Sequence, residues 1–93
     1  MSEETRSTAF RVTGRVQGVS FRAWTQAEAR QSRLSGWVRN RSDGTVEGVV
    51  AGPDEAVRGF LERLRVGPRA AEVTDVSVEA AEERPEGAFE IRG

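Results

Sequence analysis

Apolar residues along this chain keep two different spacings, and the two alternate. Phe10 and Val12 stand two apart. Phe21, Trp24, Ala27 and Leu34 then recur at steps near a helical turn. Trp37–Arg41 and Thr45–Ala51 return to strand-like runs, Val57, Phe60, Leu61 and Leu64 form a second helical stripe, and Val76, Val78 and Ala80 are again two apart. A period of two lines one face of a strand, and a period near 3.6 lines one face of a helix. In order this spells strand, helix, strand, strand, helix, strand. A chain of 93 residues is one domain with room for two layers around one core.

The punctuation agrees with the periods. The first strand, Ala9–Thr13, ends at Gly14, and a loop runs from Gly14 to Ser20. Ser20 is placed to cap the first helix, expected over Phe21–Arg33, with its hydroxyl accepting from the Ala23 N–H. Gly36 follows as a stop or turn. Asp43-Gly44 marks a tight turn between the two middle strands. Asp54 and Glu55 open the second helix while Arg63 and Arg65 close it, as the helix dipole favours. Gly67-Pro68 ends it. Val73–Ala81 is the fourth strand, and Phe89–Ile91 a short last one. Two helices with one apolar stripe each need one sheet face to cover them. The expected fold is therefore α+β: a ferredoxin-like split βαβ sandwich (βαββαβ), with two helices on one face of a four-stranded antiparallel sheet and a short C-terminal strand. The crossover rule puts the first and third strands at the centre. Residues 1–6 are expected as a flexible tail and 7–93 as the domain.

Composition narrows the chemistry. Fourteen basic and fifteen acidic residues leave a net charge of −1, and the chain has no Cys and no His. Lys and Tyr are missing as well, so every basic side chain is an arginine. Thiol nucleophiles, Ser-His-Asp catalysis, Schiff bases and the common zinc sets are all excluded. Neither a nucleic-acid partner nor a membrane is expected: the charge is balanced, no apolar run is long enough to span a bilayer, and the sheet aromatics of common RNA binders are missing. The polar start is unlike a signal peptide. A monomeric, cytoplasmic protein is the expectation.

Two residues sit awkwardly for stability. Arg22 falls in the first turn of a helix, where a positive charge opposes the dipole. It follows a loop, Gly14–Ser20, whose glycines permit tight backbone angles, and free N–H groups at a helix start can converge on an anion. Asn40 lies inside a strand, where Asn is disfavoured, on the same face as Val38, while Trp37, Arg39 and Arg41 share the other. The loop is neither G-x-G-x-x-G nor a Walker loop. Ser20 has no evident base to make it a nucleophile, and Trp24 and Trp37 read as packing residues. These features leave a turn, or an anion cradle with an arginine beside it.

Gly14-Arg15-Val16-Gln17-Gly18-Val19-Ser20-Phe21-Arg22 resembles the signature of the acylphosphatase family, and Gly36-Trp37-Val38-Arg39-Asn40 followed by Asp43-Gly44-Thr45-Val46-Glu47 resembles its second signature. Gly67-Pro68 and the closing Phe89-Glu90-Ile91-Arg92-Gly93 fit as well, so the likeness runs from about Ser7 to Gly93. It implies hydrolysis of the carboxyl–phosphate bond of an acyl phosphate to a carboxylate and inorganic phosphate, without metal or other cofactor. It implies phosphate binding by Arg22 and by the loop Arg15, Val16, Gln17, Gly18, Val19 and Ser20, with Arg15 acting through its backbone. It further implies that Asn40 positions the attacking water. Trp24 stands near the position where the family commonly has tyrosine. The alternative is a non-catalytic phosphate- or anion-binding regulatory module of the same fold.

Overall fold

The computed structural model describes residues 4–93. Its elements run β1 (Thr5–Arg15), α1 (Phe21–Gln31), β2 (Ser35–Asn40), β3 (Val46–Pro53), α2 (Asp54–Val66), β4 (Glu72–Ala80) and β5 (Glu90–Ile91). The sheet order is β4-β1-β3-β2-β5, so β1 and β3 are central among the four main strands, as the crossover rule requires. Those four pair antiparallel. The short C-terminal strand is no separate appendage. It joins the edge of β2 in parallel and makes the sheet mixed.

Most element ends move by one or more residues from the sequence reading, and three of these shifts bear on the fold. Thr5 and Arg6 belong to β1, although residues 1–6 read as tail; residues 1–3 lie outside the described residues. The ladder to Pro53 and Gly52 of β3 takes them in. Arg6 also lies 3.1 Å from Asp54. Alternation is blurred there because Ser7 and Thr8 are both buried. Helix α1 stops at Gln31, two residues before the expected end, because Arg33 turns to a positive φ of 59° and the Leu34 N–H bonds back to the Ala29 carbonyl. Gly36 is inside β2 rather than a stop. Its φ of 140° presses the backbone against β3, where a Cβ would collide with the Val49 carbonyl.

The core lies between the helices and one sheet face. Val12, Val38, Val46 and Val50 come from the sheet and Val57, Phe60 and Leu64 from α2, all fully buried. Phe60 sits at the centre, with ring centroids 5.8 Å from Phe10 and 6.0 Å from Phe89. Each such side chain contributes about 1.5–3 kcal/mol by leaving water. On α1 the buried stripe is Phe21, Thr25 and Ala29, one register beside the expected one, and Trp24 is only partly covered. Thr25 is tolerated because its hydroxyl donates to the Phe21 carbonyl.

One end of the sheet carries Asn40 and the glycine loop, and strand register puts them there. Val46 of β3 pairs with Val12 of β1 on one side and Asn40 of β2 on the other. Asn40 is thus level with the last turn of chain before the glycine loop. Behind it, on the open sheet face, Arg39 and Arg41 both donate to the Glu47 carboxylate, which clamps β2 to β3. Burial pushes the Glu47 carboxyl up, but the hydrogen bonds from Arg39 and Arg41 and their charges outweigh it and hold the group below the usual carboxylate range.

A native value below the unfolded one means Glu47 stabilises the fold above the unfolded value, about 4.3, and loses that contribution as pH falls through the native value. Glu47→Gln should therefore cost about 1–2 kcal/mol at pH 7, with the gap to wild type closing below roughly pH 4.3. Urea denaturation of both proteins across that range checks this.

Candidate active site

The cleft begins with a break in a ladder. The β1–β4 register shifts between Thr13 and Gly14. Gly14 has a φ of 131°, and a Cβ there would run into the Glu72 carbonyl. Its glycine serves close approach to β4, not to a ligand. Arg15 is the last strand residue, paired with Glu72 and exposed. Val16 is 1 % exposed and anchors the loop in the core.

The loop then curls. Gly18 has a φ of 76° with open space where a Cβ would point, and Ser20 has φ 60° and ψ 27°. Positive φ in such a turn is the conformation that brings successive N–H groups to one side as an anion nest. Ser20 is not the side-chain cap expected of it: its backbone is left-handed, unlike the extended backbone of a capping serine, and its hydroxyl makes no capping bond. The first internal bond of α1 is from the Trp24 N–H to the Ser20 carbonyl. The preceding N–H groups are left without intrahelical acceptors.

Val16, Gly18, Ser20 and Arg22 from this segment, Asn40 from β2 and Ile91 from β5 surround one cleft of about 390 Å³. The two residues that sequence singled out from separate elements therefore meet. Asn40 continues the Val38 face of β2 beyond the edge of the core. Its Oδ1 is buried and has no hydrogen-bond partner among the described residues. Arg22 is half-buried and makes no ion pair among the described residues. A concavity of similar size, about 350 Å³, lies on the open sheet face beside Arg11, Trp37 and Glu47. There the charges already satisfy one another: Glu47 takes Arg11 at 3.8 Å as well as Arg39 and Arg41. An uncommitted cation and an uncommitted acceptor make the cleft at Arg22 the better candidate site.

Not every expected cradle residue faces the cleft. Val19 packs against the core. The Gln17 side chain turns away to the β2–β3 turn, where it donates to the carbonyls of Arg41 and Thr45. Conversely, Ile91 lines the cleft although no sequence signal marks it. It reaches the cleft because β5 pairs Ile91 with Val38, two residues before Asn40. Alternation in Phe89-Glu90-Ile91 marks a strand, but nothing local says which edge it joins. Among the described residues, no three Asp, Glu, His or Cys side chains stand together as a metal site, and no helix is long and apolar enough to cross a membrane.

The acylphosphatase family pattern matches residues 8–91. The chain belongs to the acylphosphatase family. It is similar to the acylphosphatase of Rhizobium meliloti, 48 % identical over an alignment of 95 residues that takes in all of both chains. The Sinorhizobium medicae acylphosphatase is 51 % identical over 81 residues, 87 % of this chain and 86 % of that one. The crystal structure of acylphosphatase from Bacillus subtilis superposes with a TM-score of 0.90 at 38 % identity, covering 97 % of this chain and 100 % of that one.

Within this acylphosphatase fold, Ser20 holds a left-handed backbone, a conformation that glycine adopts without strain. Ser20→Gly should raise stability by about 0.5–1 kcal/mol, the relief of Cβ crowding less the added chain entropy. The urea midpoint should rise with its slope unchanged.

Proposed function

We propose that this cleft hydrolyses acyl phosphates, with Arg22 and the loop amides holding the phosphoryl group and Asn40 holding the attacking water. The observation that carries the reading is that Asn40 Oδ1, buried and unpartnered among the described residues, shares its cleft with an arginine that makes no ion pair among them. A buried acceptor left open costs about 1–3 kcal/mol. A water that donates to it satisfies the acceptor and is itself oriented.

The chemistry asks for little more. Water attacks phosphorus, the bond from phosphorus to the carboxylate oxygen breaks, and a carboxylate leaves with the electron pair. A carboxylic acid has a pKa near 4, so this leaving group needs no general acid, and the absence of histidine is no obstacle. The Arg22 guanidinium and the loop N–H groups, Arg15 to Ser20, offset charge on the phosphoryl oxygens, as charge-assisted donors do. The Asn40 amide is no base, so the water's proton passes to a phosphoryl oxygen or to solvent. Its contribution is position in line with the breaking bond. No metal is required by these steps.

Phosphate release from benzoyl phosphate, with and without a chelator, tests the reading. Turnover indifferent to chelator is expected. Release no faster than the uncatalysed rate would favour a phosphate-binding module without catalysis. Two variants then separate the roles. Arg22→Ala should lower kcat/KM by about 10³-fold or more and weaken inhibition by inorganic phosphate in parallel. Asn40→Ala should lower kcat by about 10²–10³-fold while phosphate inhibits nearly as before. Steady-state kinetics with a phosphate titration reads both.

The same reading makes the chain a cytoplasmic monomer. Its large exposed apolar side chains, Val66, Val78 and Ile91, sit on three different elements, which supports the monomer. A small domain without any cysteine suits a reducing compartment.

A further inference from the structure

The glycine loop and Asn40 are not neighbours in the sheet. The loop continues β1, Asn40 ends β2, and β3 lies between them. No ladder hydrogen bond therefore fixes the loop relative to Asn40. One side chain spans the gap. Gln17 Nε2 donates to the Arg41 carbonyl at 2.8 Å and to the Thr45 carbonyl at 2.9 Å. A primary amide nitrogen carries two hydrogens, and both are used.

The two carbonyls sit on a stiff support. Arg41 directly follows Asn40. Its N–H donates to the Thr45 carbonyl at 2.8 Å, and the Gly44 N–H returns to the Arg41 carbonyl at 3.2 Å. The Asp43 carboxylate accepts from the Thr45 hydroxyl at 2.6 Å and from the Thr45 N–H at 3.0 Å. Behind the turn, Glu47 holds the Arg41 guanidinium. Gln17 thus ties the loop that would hold phosphate to a rigid turn one residue from the group that would hold water.

We propose that Gln17 is a positioning residue: its side-chain amide sets the placement of the phosphate loop relative to Asn40, so that the bound water lies in line with the bond to be broken. This rests on the reading of the cleft given above. In-line attack is sensitive to small displacements, and a shift of about 1 Å can cost about 10²-fold in rate. Binding of phosphate alone has no such demand, because the loop amides and Arg22 travel with the loop.

The test is a double-mutant cycle on benzoyl phosphate hydrolysis, with the inhibition constant of inorganic phosphate as second readout and urea denaturation to confirm that each variant is folded. Gln17→Ala should lower kcat by about 10–100-fold and change the phosphate constant by no more than about twofold. Gln17→Glu keeps the volume and removes both donors, and should lose as much. In an Asn40→Ala background, Gln17→Ala should cost under about twofold more, since the partner it aligns is gone. Full turnover in Gln17→Ala, an equal loss in both backgrounds, or a phosphate constant that weakens along with kcat would each overturn the proposal. If Asn40→Ala itself turns over like wild type, the reading of the cleft falls, and the role of Gln17 falls with it.

Discussion

The register of β3 against both its neighbours is the constraint on which the candidate cleft depends. Val46 meets Val12 on one side and Asn40 on the other. Because strand side chains alternate between faces, a slip of one residue in the β2–β3 pairing would send Asn40 to the open face and Arg39 or Arg41 into the core. Buried Val38, Val46 and Val50 oppose that slip from the core side, and the arginine pair on Glu47 opposes it from the other. The same residues that make the hairpin stable also determine which way Asn40 points.

The division of labour across the sheet follows from this. On the open face every strong charge near β2 has a partner. Trp37 is covered by the Arg39 and Arg92 guanidinium groups and donates to Glu83. At the cleft the arrangement is reversed: a cation and a carbonyl acceptor, both without a partner among the described residues, line the same concavity. A substrate that carries its own activated leaving group suits such a site, because the protein need supply only charge, donors and geometry. A small domain without histidine, cysteine or lysine can meet that demand.

Much of this was legible in the sequence, for identifiable reasons. The element order could be read because the apolar spacing switches between two and a helical turn, most cleanly at Val57, Phe60 and Leu64. Arg22 and Asn40 stood out because each violates a local preference, and such violations concentrate where function competes with stability. Other features were hidden for physical reasons. Thr5 and Arg6 look like tail because only the partner strand makes them strand. Ser20 has the composition of a cap but not the backbone of one. Gln17 is unremarkable until the turn that accepts its two hydrogens is brought across β3. Ile91 enters the cleft through a parallel pairing that no local pattern encodes.

The strap that precedes β5 has a consequence for how the molecule assembles. Ser7 donates to the Glu83 carbonyl across 76 positions of chain, Gln26 and Arg30 both reach the Phe89 carbonyl, and the Arg92 N–H closes on Val38. Contacts so distant in sequence repay their loop-closure entropy only after the strands between them have paired. The edge of the cleft formed by Ile91 thus needs β2 in place before it can close. A phosphate ligand that needs the finished cleft would slow unfolding while leaving the folding rate almost untouched.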